Sequence, residues 1–392
     1  MTYIQREIEK EAVDLASHYK ILTVTGPRQS GKTTLVRRLF GELPYFSLES
    51  PDIRFSVQND PRGFFQANKM GAIIDEAQNI PEIFSYLQEV VDLSDKKCLF
   101  ILTGSNHFLL MNKISQSLAG RTAILHLLPL SLTELRSNGI NLSTDELLLT
   151  GFYPGIYDNQ LNPTKAYRMY HETYLEKDMR QLINLKQLSI FEKFIRLCAG
   201  RIGNLLNYSN LANETGVSVP TIQSWISILE ASFIVFLLPP YFENINKRLA
   251  KTPKLYFYDP GIAAYLLGIE NQNQLSRDPL RGALFENMIV AEFLKSRFNQ
   301  GLEPNMYFYR DNHQNEVDLI FKKGTDLIPV EIKSSQTFNS NFLKGIEYLK
   351  KLLPERIKNP LLIYDGVFES EQNGVQIMNY KNLPVPFISP LI

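Results

Sequence analysis

Eight consecutive residues, Gly26-Pro27-Arg28-Gln29-Ser30-Gly31-Lys32-Thr33, have the spacing G-x-x-x-x-G-K-[ST]. They follow a β-rich run, Ile21-Leu22-Thr23-Val24-Thr25, and open a helix expected from Lys32 to Phe40. Glycines let the main chain wrap an anion, and the free amides at a helix start, with the helix dipole, bind it. Lys32 can then reach the β- and γ-phosphates of a nucleotide, and the Thr33 hydroxyl can hold Mg²⁺. The run ends on a second threonine, Thr34. The expected ligands are a nucleoside triphosphate and Mg²⁺.

A second signal is Gly71-Ala72-Ile73-Ile74-Asp75-Glu76, an apolar strand that ends in two carboxylates. Asp75 is placed to act on Mg²⁺ directly or through water, and Glu76 to polarise the attacking water as a base. A third is Phe100-Ile101-Leu102-Thr103-Gly104-Ser105-Asn106, where Ser105 or Asn106 could orient that water; a polar turn is the alternative. In Ser117-Leu118-Ala119-Gly120-Arg121, Arg121 could stabilise phosphoryl charge in its own chain or in a neighbouring copy, or be a solvated arginine.

Two further constellations lie downstream. Leu211 to Trp225 has helix-turn-helix spacing, with Gly216 at the turn and Ser218 as a cap; Val219, Ile222 and Trp225 are expected to face inward. Phe233–Leu238 and Lys254–Tyr258 would form a wing. The second helix could read DNA but has no Lys or Arg, so backbone contact by the basic wing residues Lys247, Arg248, Lys251 and Lys254 is favoured over it, and a purely structural or protein-contacting role is the alternative. Near the C-terminus, Glu316-Val317-Asp318 precedes Glu331-Ile332-Lys333 across a Lys322–Gly324 turn. Strand alternation puts Glu331 and Lys333 on one face. Asp318 and Glu331, with Glu286 from the preceding helix, could hold a second Mg²⁺ beside a scissile phosphate, while Lys333 stabilises charge or activates water. Tyr307, Tyr309 and Arg310 could clamp nucleic acid, although strand packing accounts for the tyrosines equally well.

The elements that must position these residues follow from hydrophobic pattern. Strand-like runs at 45–48, 72–74, 98–102 and 123–127 alternate with helical stretches, which implies a mainly parallel α/β sheet covered on both faces. A helix is expected over 7–20, helices dominate 141–200, and the polar stretch 271–279 reads as a linker. The expected modules are a phosphate-binding core at 1–140, a helical lid or linker at 141–200, a winged-helix-like part at 201–270 and a nuclease-like α/β part at 281–392. The 392 residues, 44% apolar and 21% charged, suit such a multidomain globular chain. Forty-one basic residues balance 41 acidic ones, so a globally basic nucleic-acid coat is excluded. Cys98 and Cys198 form no disulfide framework, and the five histidines have no metal-ligand spacing. The most apolar run, Phe233–Leu238, is far short of the ~20 residues that span a bilayer. With no apolar leader at the start, a cytoplasmic protein without membrane partners is expected.

The chain resembles the bacterial and archaeal AAA+ ATPases that carry a C-terminal domain of unknown function 4143. The residues that carry the likeness are Thr25–Thr34, Ile74-Asp75-Glu76-Ala77-Gln78, Leu102–Ser105, Ser117–Arg121, Pro129–Leu135, Tyr174–Asp178, Lys254–Asp259 and Gly282–Asn287. Lys177 departs from the arginine usual in that family. The resemblance implies a P-loop NTPase core of AAA+ type that binds ATP, and such relatives often assemble as rings; the 318–333 region resembles the PD-(D/E)xK nucleases. Three functions stay open on sequence alone. These are ATP hydrolysis driving the C-terminal half, a nucleotide-gated switch that binds DNA or a protein, and an ATP-regulated nuclease.

Overall fold

In the first strand, β1 (Ile21–Thr25), all five residues are buried, as expected for a strand covered on both faces. In the computed structural model, which describes residues 3–105, 110–111, 113–175, 188–241 and 252–383, β1 lies inside a parallel sheet. The other strands are β2 (Tyr45–Ser47), β3 (Ala72–Asp75), β4 (Phe100–Gly104) and β5 (Thr122–His126), in the order β2-β3-β4-β1-β5. Alternation along the strands divides the core in two. Ala72, Ile74, Phe100 and Leu102 pack with Ile83, Phe84 and Leu87 of the helix Ile83–Asp92. Ile73, Ile101, Leu22 and Val24 pack on the opposite face with Ala12 and Leu35, from the helices Glu9–His18 and Lys32–Leu39.

This sheet belongs to the first of two compact units, Met1–Leu130 with the short segments Ala231–Phe233 and Arg297–Leu302. The second unit holds most of the remaining chain, so the segments read above as lid, winged helix and nuclease-like end share one unit. There the helices Tyr208–Thr215 and Val219–Ala231 meet at Gly216, whose φ of 76° suits glycine. Ile222 and Trp225 are buried, and Val219 only partly. Strands β6 (Val235–Leu238) and β7 (Lys254–Phe257) then pair antiparallel.

A six-stranded sheet follows in the same unit: β8 (Met306–Arg310), β9 (Glu316–Lys323), β10 (Asp326–Lys333), β11 (Leu361–Tyr364), β12 (Ser370–Gln372) and β13 (Val375–Asn379). Its order is β12-β13-β11-β10-β9-β8, with β8, β9 and β10 antiparallel and β10, β11 and β13 parallel. The expected linker at 271–279 instead contains the short helix Gln272–Leu275. Its cap is Asn271, whose Oδ1 accepts the Gln274 N–H at 3.0 Å.

Candidate functional site

The phosphate loop is built on backbone that side chains resist. Gly26 has φ 151°, and a Cβ there would lie 2.1 Å from the Leu127 carbonyl oxygen. Gly31, φ 95°, caps the helix Lys32–Leu39 in the left-handed region. Pro27 and Ser30 are buried, Arg28 turns to Glu49 at 3.4 Å, and Gln29 and Thr34 are exposed. The Lys32 ammonium is buried and donates to the loop's own carbonyls, Gly26 at 2.9 Å and Pro27 at 2.8 Å. Burial pushes its pKa down to about 8, against the pull of Glu76 and Asp75.

Strand β3 delivers the two acids to this end of the sheet. The Thr33 hydroxyl donates to Asp75 Oδ2 at 3.0 Å, the Tyr45 hydroxyl to the same oxygen at 2.6 Å, and the Thr103 hydroxyl to Oδ1. Glu76 sits in the left-handed region, φ 55°. Its Oε2 accepts from Gln78 Nε2 at 2.5 Å, from the Ser105 hydroxyl at 2.9 Å and from the Ser105 N–H at 3.2 Å. Burial disfavours its charge, but Lys32 and these donors outweigh burial and hold the carboxyl below its usual range. Glu76 is therefore ionised at neutral pH.

The loop suits a phosphate with Mg²⁺. The buried Ser30 hydroxyl has no partner, and Lys32 has only loop carbonyls to release. The adjacent hydroxyl and carboxylate of Thr33 and Asp75 are the hard oxygen donors that Mg²⁺ prefers.

Thus Lys32, Thr33, Asp75, Glu76 and Ser105 converge; Asn106 lies outside the described residues. Arg121 does not converge with them. It precedes β5, and its carbonyl accepts the N–H of Ile21, the first residue of β1, at 3.3 Å. The phosphate loop leaves the far end of β1, so the sheet separates the two by roughly 13 Å or more at ~3.3 Å per residue. There Arg121 grips Asp92 at 2.6 and 2.8 Å. A role for Arg121 at its own chain's nucleotide is corrected by this placement.

Sequence reading missed Tyr45, Gln78 and Arg6. The buried guanidinium of Arg6 donates to the Ser30 carbonyl at 2.8 Å and to the Leu128 carbonyl at 2.7 Å, so it braces the phosphate loop from the N-terminal segment. Arg6→Ala is expected to weaken nucleotide binding about tenfold, since a charge-assisted hydrogen bond contributes about 1.5–3 kcal/mol. Titration with a fluorescent ATP analogue checks this. Arg6→Lys, able to reach one carbonyl, should restore part of the affinity, and an unchanged Kd for Arg6→Ala would show that the loop braces itself.

The C-terminal residues also meet, in a different manner from a metal site. Lys333 Nζ lies 2.6 Å from Glu331 Oε1 and 3.2 Å from Asp318 Oδ2. Glu286 Oε1 accepts the Tyr256 hydroxyl at 2.6 Å and lies 3.4 Å from Lys254 Nζ. No group of three or more His, Cys, Asp or Glu among the described residues could hold a metal ion. The carboxylates are paired with ammonium groups, and the residues present do not fit a second Mg²⁺. Lys254, read as a wing cation for DNA, is 2% exposed and so is corrected to an interior residue. Lys247, Arg248 and Lys251 lie outside the described residues. Tyr307 and Tyr309 pack with Tyr241 and Val317, and Arg310 pairs with Glu316 at 3.3 Å.

A five-stranded parallel sheet with a phosphate loop after β1 and Asp75-Glu76 at the end of β3 defines an AAA-type P-loop ATPase. Three family models match the chain: an AAA domain over residues 18–136, a domain of unknown function (DUF8612) over 141–273 and a domain of unknown function (DUF4143) over 281–383. The uncharacterized protein Rv2008c of Mycobacterium tuberculosis is 31% identical over 328 residues, covering 81% of this chain and 71% of the relative. The chain belongs to the family of AAA-type ATPases with a C-terminal domain of unknown function 4143. An uncharacterized protein of Haemophilus influenzae is 22% identical, covering 96% of each chain. Among solved structures, a Walker-type ATPase of Pyrococcus abyssi aligns with TM-score 0.43 and 18% identity, over 66% of this chain and 94% of that one. No helix among the described residues is long and apolar enough to cross a membrane.

Proposed function

We propose that the chain hydrolyses Mg²⁺-bound ATP to drive a conformational change of its C-terminal region, acting on nucleic acid or a protein partner. One observation carries the reading: the ionised Glu76 carboxylate stands beside the loop, aligned by Ser105 and Gln78. The loop amides and Lys32 bind the phosphates. Thr33 and Asp75 would hold Mg²⁺, which when bound neutralises charge on the phosphate oxygens. Glu76 accepts the proton of the attacking water. Because Oε2 is already held by three donors, basal turnover is slow and rises when a partner loosens that grip. Arg121, at the other end of the sheet, is left to serve a neighbouring copy in an oligomer.

Phosphate release measured with and without duplex and single-stranded DNA, with light scattering in each nucleotide state, tests the reading. Magnesium-dependent release is expected. Stimulation by DNA selects nucleic acid as the target, and release indifferent to DNA selects a protein partner. Tight ATP binding with no release would leave only a nucleotide-gated switch and sink the hydrolytic reading.

A further inference from the structure

Two segments far apart in sequence, Lys254–Asp259 and Gly282–Asn287, form a single joint. Asn287 Oδ1 accepts the Phe257 N–H at 2.6 Å, and its Nδ2 donates to the Phe257 carbonyl at 3.0 Å. One turn away, Glu286 accepts the Tyr256 hydroxyl. Lys254 and Tyr256 share a face of β7 by strand alternation, and that face is turned to the carboxylates of the six-stranded sheet.

The charges there are matched in a specific way. Lys254 Nζ lies 2.5 Å from Glu316 Oε1 and 3.4 Å from Glu286 Oε1. Lys333 holds Glu331 and Asp318, and Asp318 Oδ2 also accepts the Ile332 N–H at 2.8 Å. Glu331 Oε2 is buried and has no partner, in a residue 7% exposed. A buried carboxyl oxygen without a donor is costly, and burial beside Asp318 pushes the pKa of Glu331 up to about 8 against the pull of Lys333, so the cluster is short of positive charge. A lysine ammonium is a compact point charge, as a small metal ion is. Here it is fixed on a strand whose ladder to β6 runs from Val235↔Phe257 to Leu238↔Lys254. A tethered cation competes at an effective concentration in the millimolar range or above, comparable with free Mg²⁺ or higher.

We propose that Lys254 is a tethered counter-cation: its ammonium, paired with Glu286 and Glu316, keeps a divalent cation out of the carboxylate cluster that these two form with Asp318 and Glu331. Strand β7 thereby closes the place in this unit where the nuclease-like carboxylates gather. The plug stands independently of the nucleotide site, because none of its residues belongs to the phosphate loop.

The test is Mn²⁺ binding to the full chain without nucleotide, read by the loss of the free-ion electron paramagnetic resonance signal. Wild type is expected to show no Mn²⁺ site that depends on Asp318. Lys254→Met is expected to gain one site, at least tenfold tighter than any residual wild-type binding, and Lys254→Met with Asp318→Asn to lose it. Lys254→Met with Glu316→Gln removes the cation together with its nearest partner, and serves where the single variant does not fold. A wild-type Mn²⁺ site abolished by Asp318→Asn overturns the proposal, as does a folded Lys254 variant that gains no site.

Discussion

ATP turnover in Glu76→Gln is expected to fall by about 10²–10⁴-fold, the usual contribution of a positioned general base, with nucleotide affinity nearly unchanged. Glutamine has the shape of glutamate and can still accept from Ser105, but its amide cannot take a proton from water. The Lys32 ammonium, whose charge helps hold Glu76 ionised, remains in place. Lys32→Ala should behave oppositely at the binding step. It removes the buried cation that the Gly26 and Pro27 carbonyls share, leaving Pro27 only the Ser30 N–H at 3.3 Å. Affinity should fall about 100-fold, the loss of a charged contact of about 3 kcal/mol. Single-turnover phosphate release and equilibrium binding, run on both variants, separate the two effects. Unchanged turnover in folded Glu76→Gln would move the base to another residue.

The phosphate loop was legible because its information is local: strand, glycines, lysine and helix follow within fifteen residues, and β3 announces its acids at its own end. Arg121 was misplaced for a topological reason that the sequence does contain. In a parallel sheet, loops after strands gather at one end, so a residue that precedes a strand belongs at the other. Gln78 lies two residues from Glu76 within the quoted motif and could have been singled out there, whereas Tyr45 and Arg6 act through contacts that no local pattern encodes; Arg6 reaches Leu128 across more than a hundred residues. Lys254 looked like three other cations nearby in the sequence, yet alternation put it on a face with Tyr256, and a tyrosine within so apolar a strand was the available sign that the face is interior. Asp318, Glu331 and Lys333 do lie together, while the lysine that pairs with the neighbouring Glu316 and Glu286 comes from a strand more than sixty residues before Glu316.

The largest loss of stability in the second unit is expected from Asp259→Ala. The carboxylate is 1% exposed and has three donors. Its Oδ2 accepts the Phe152 N–H at 2.7 Å, while its Oδ1 accepts the Tyr167 hydroxyl at 2.7 Å and the Ile262 N–H at 3.1 Å. The last of these caps the helix Pro260–Leu266. Burial raises the pKa of this acid, against Tyr167, Lys295 and the two backbone donors, so the side chain stays inside only because the donors are there. Alanine leaves two buried amides unsatisfied and removes a cap, for an expected cost of about 3–5 kcal/mol. Asparagine keeps the shape and can satisfy Phe152, with the Tyr167 hydroxyl turning to donate to the Thr150 carbonyl it already approaches at 2.9 Å. Only the helix cap is then lost, at about 1–2 kcal/mol. The chain's single tryptophan, Trp225, is buried in this unit 5.3 Å from Phe191 and 5.2 Å from Phe194, so its fluorescence reports the transition. Urea midpoints should fall in the order wild type, Asp259→Asn, Asp259→Ala with unchanged slope. Equal midpoints for the two variants would show that the charge of Asp259, and not its pattern of acceptors, holds the motif together.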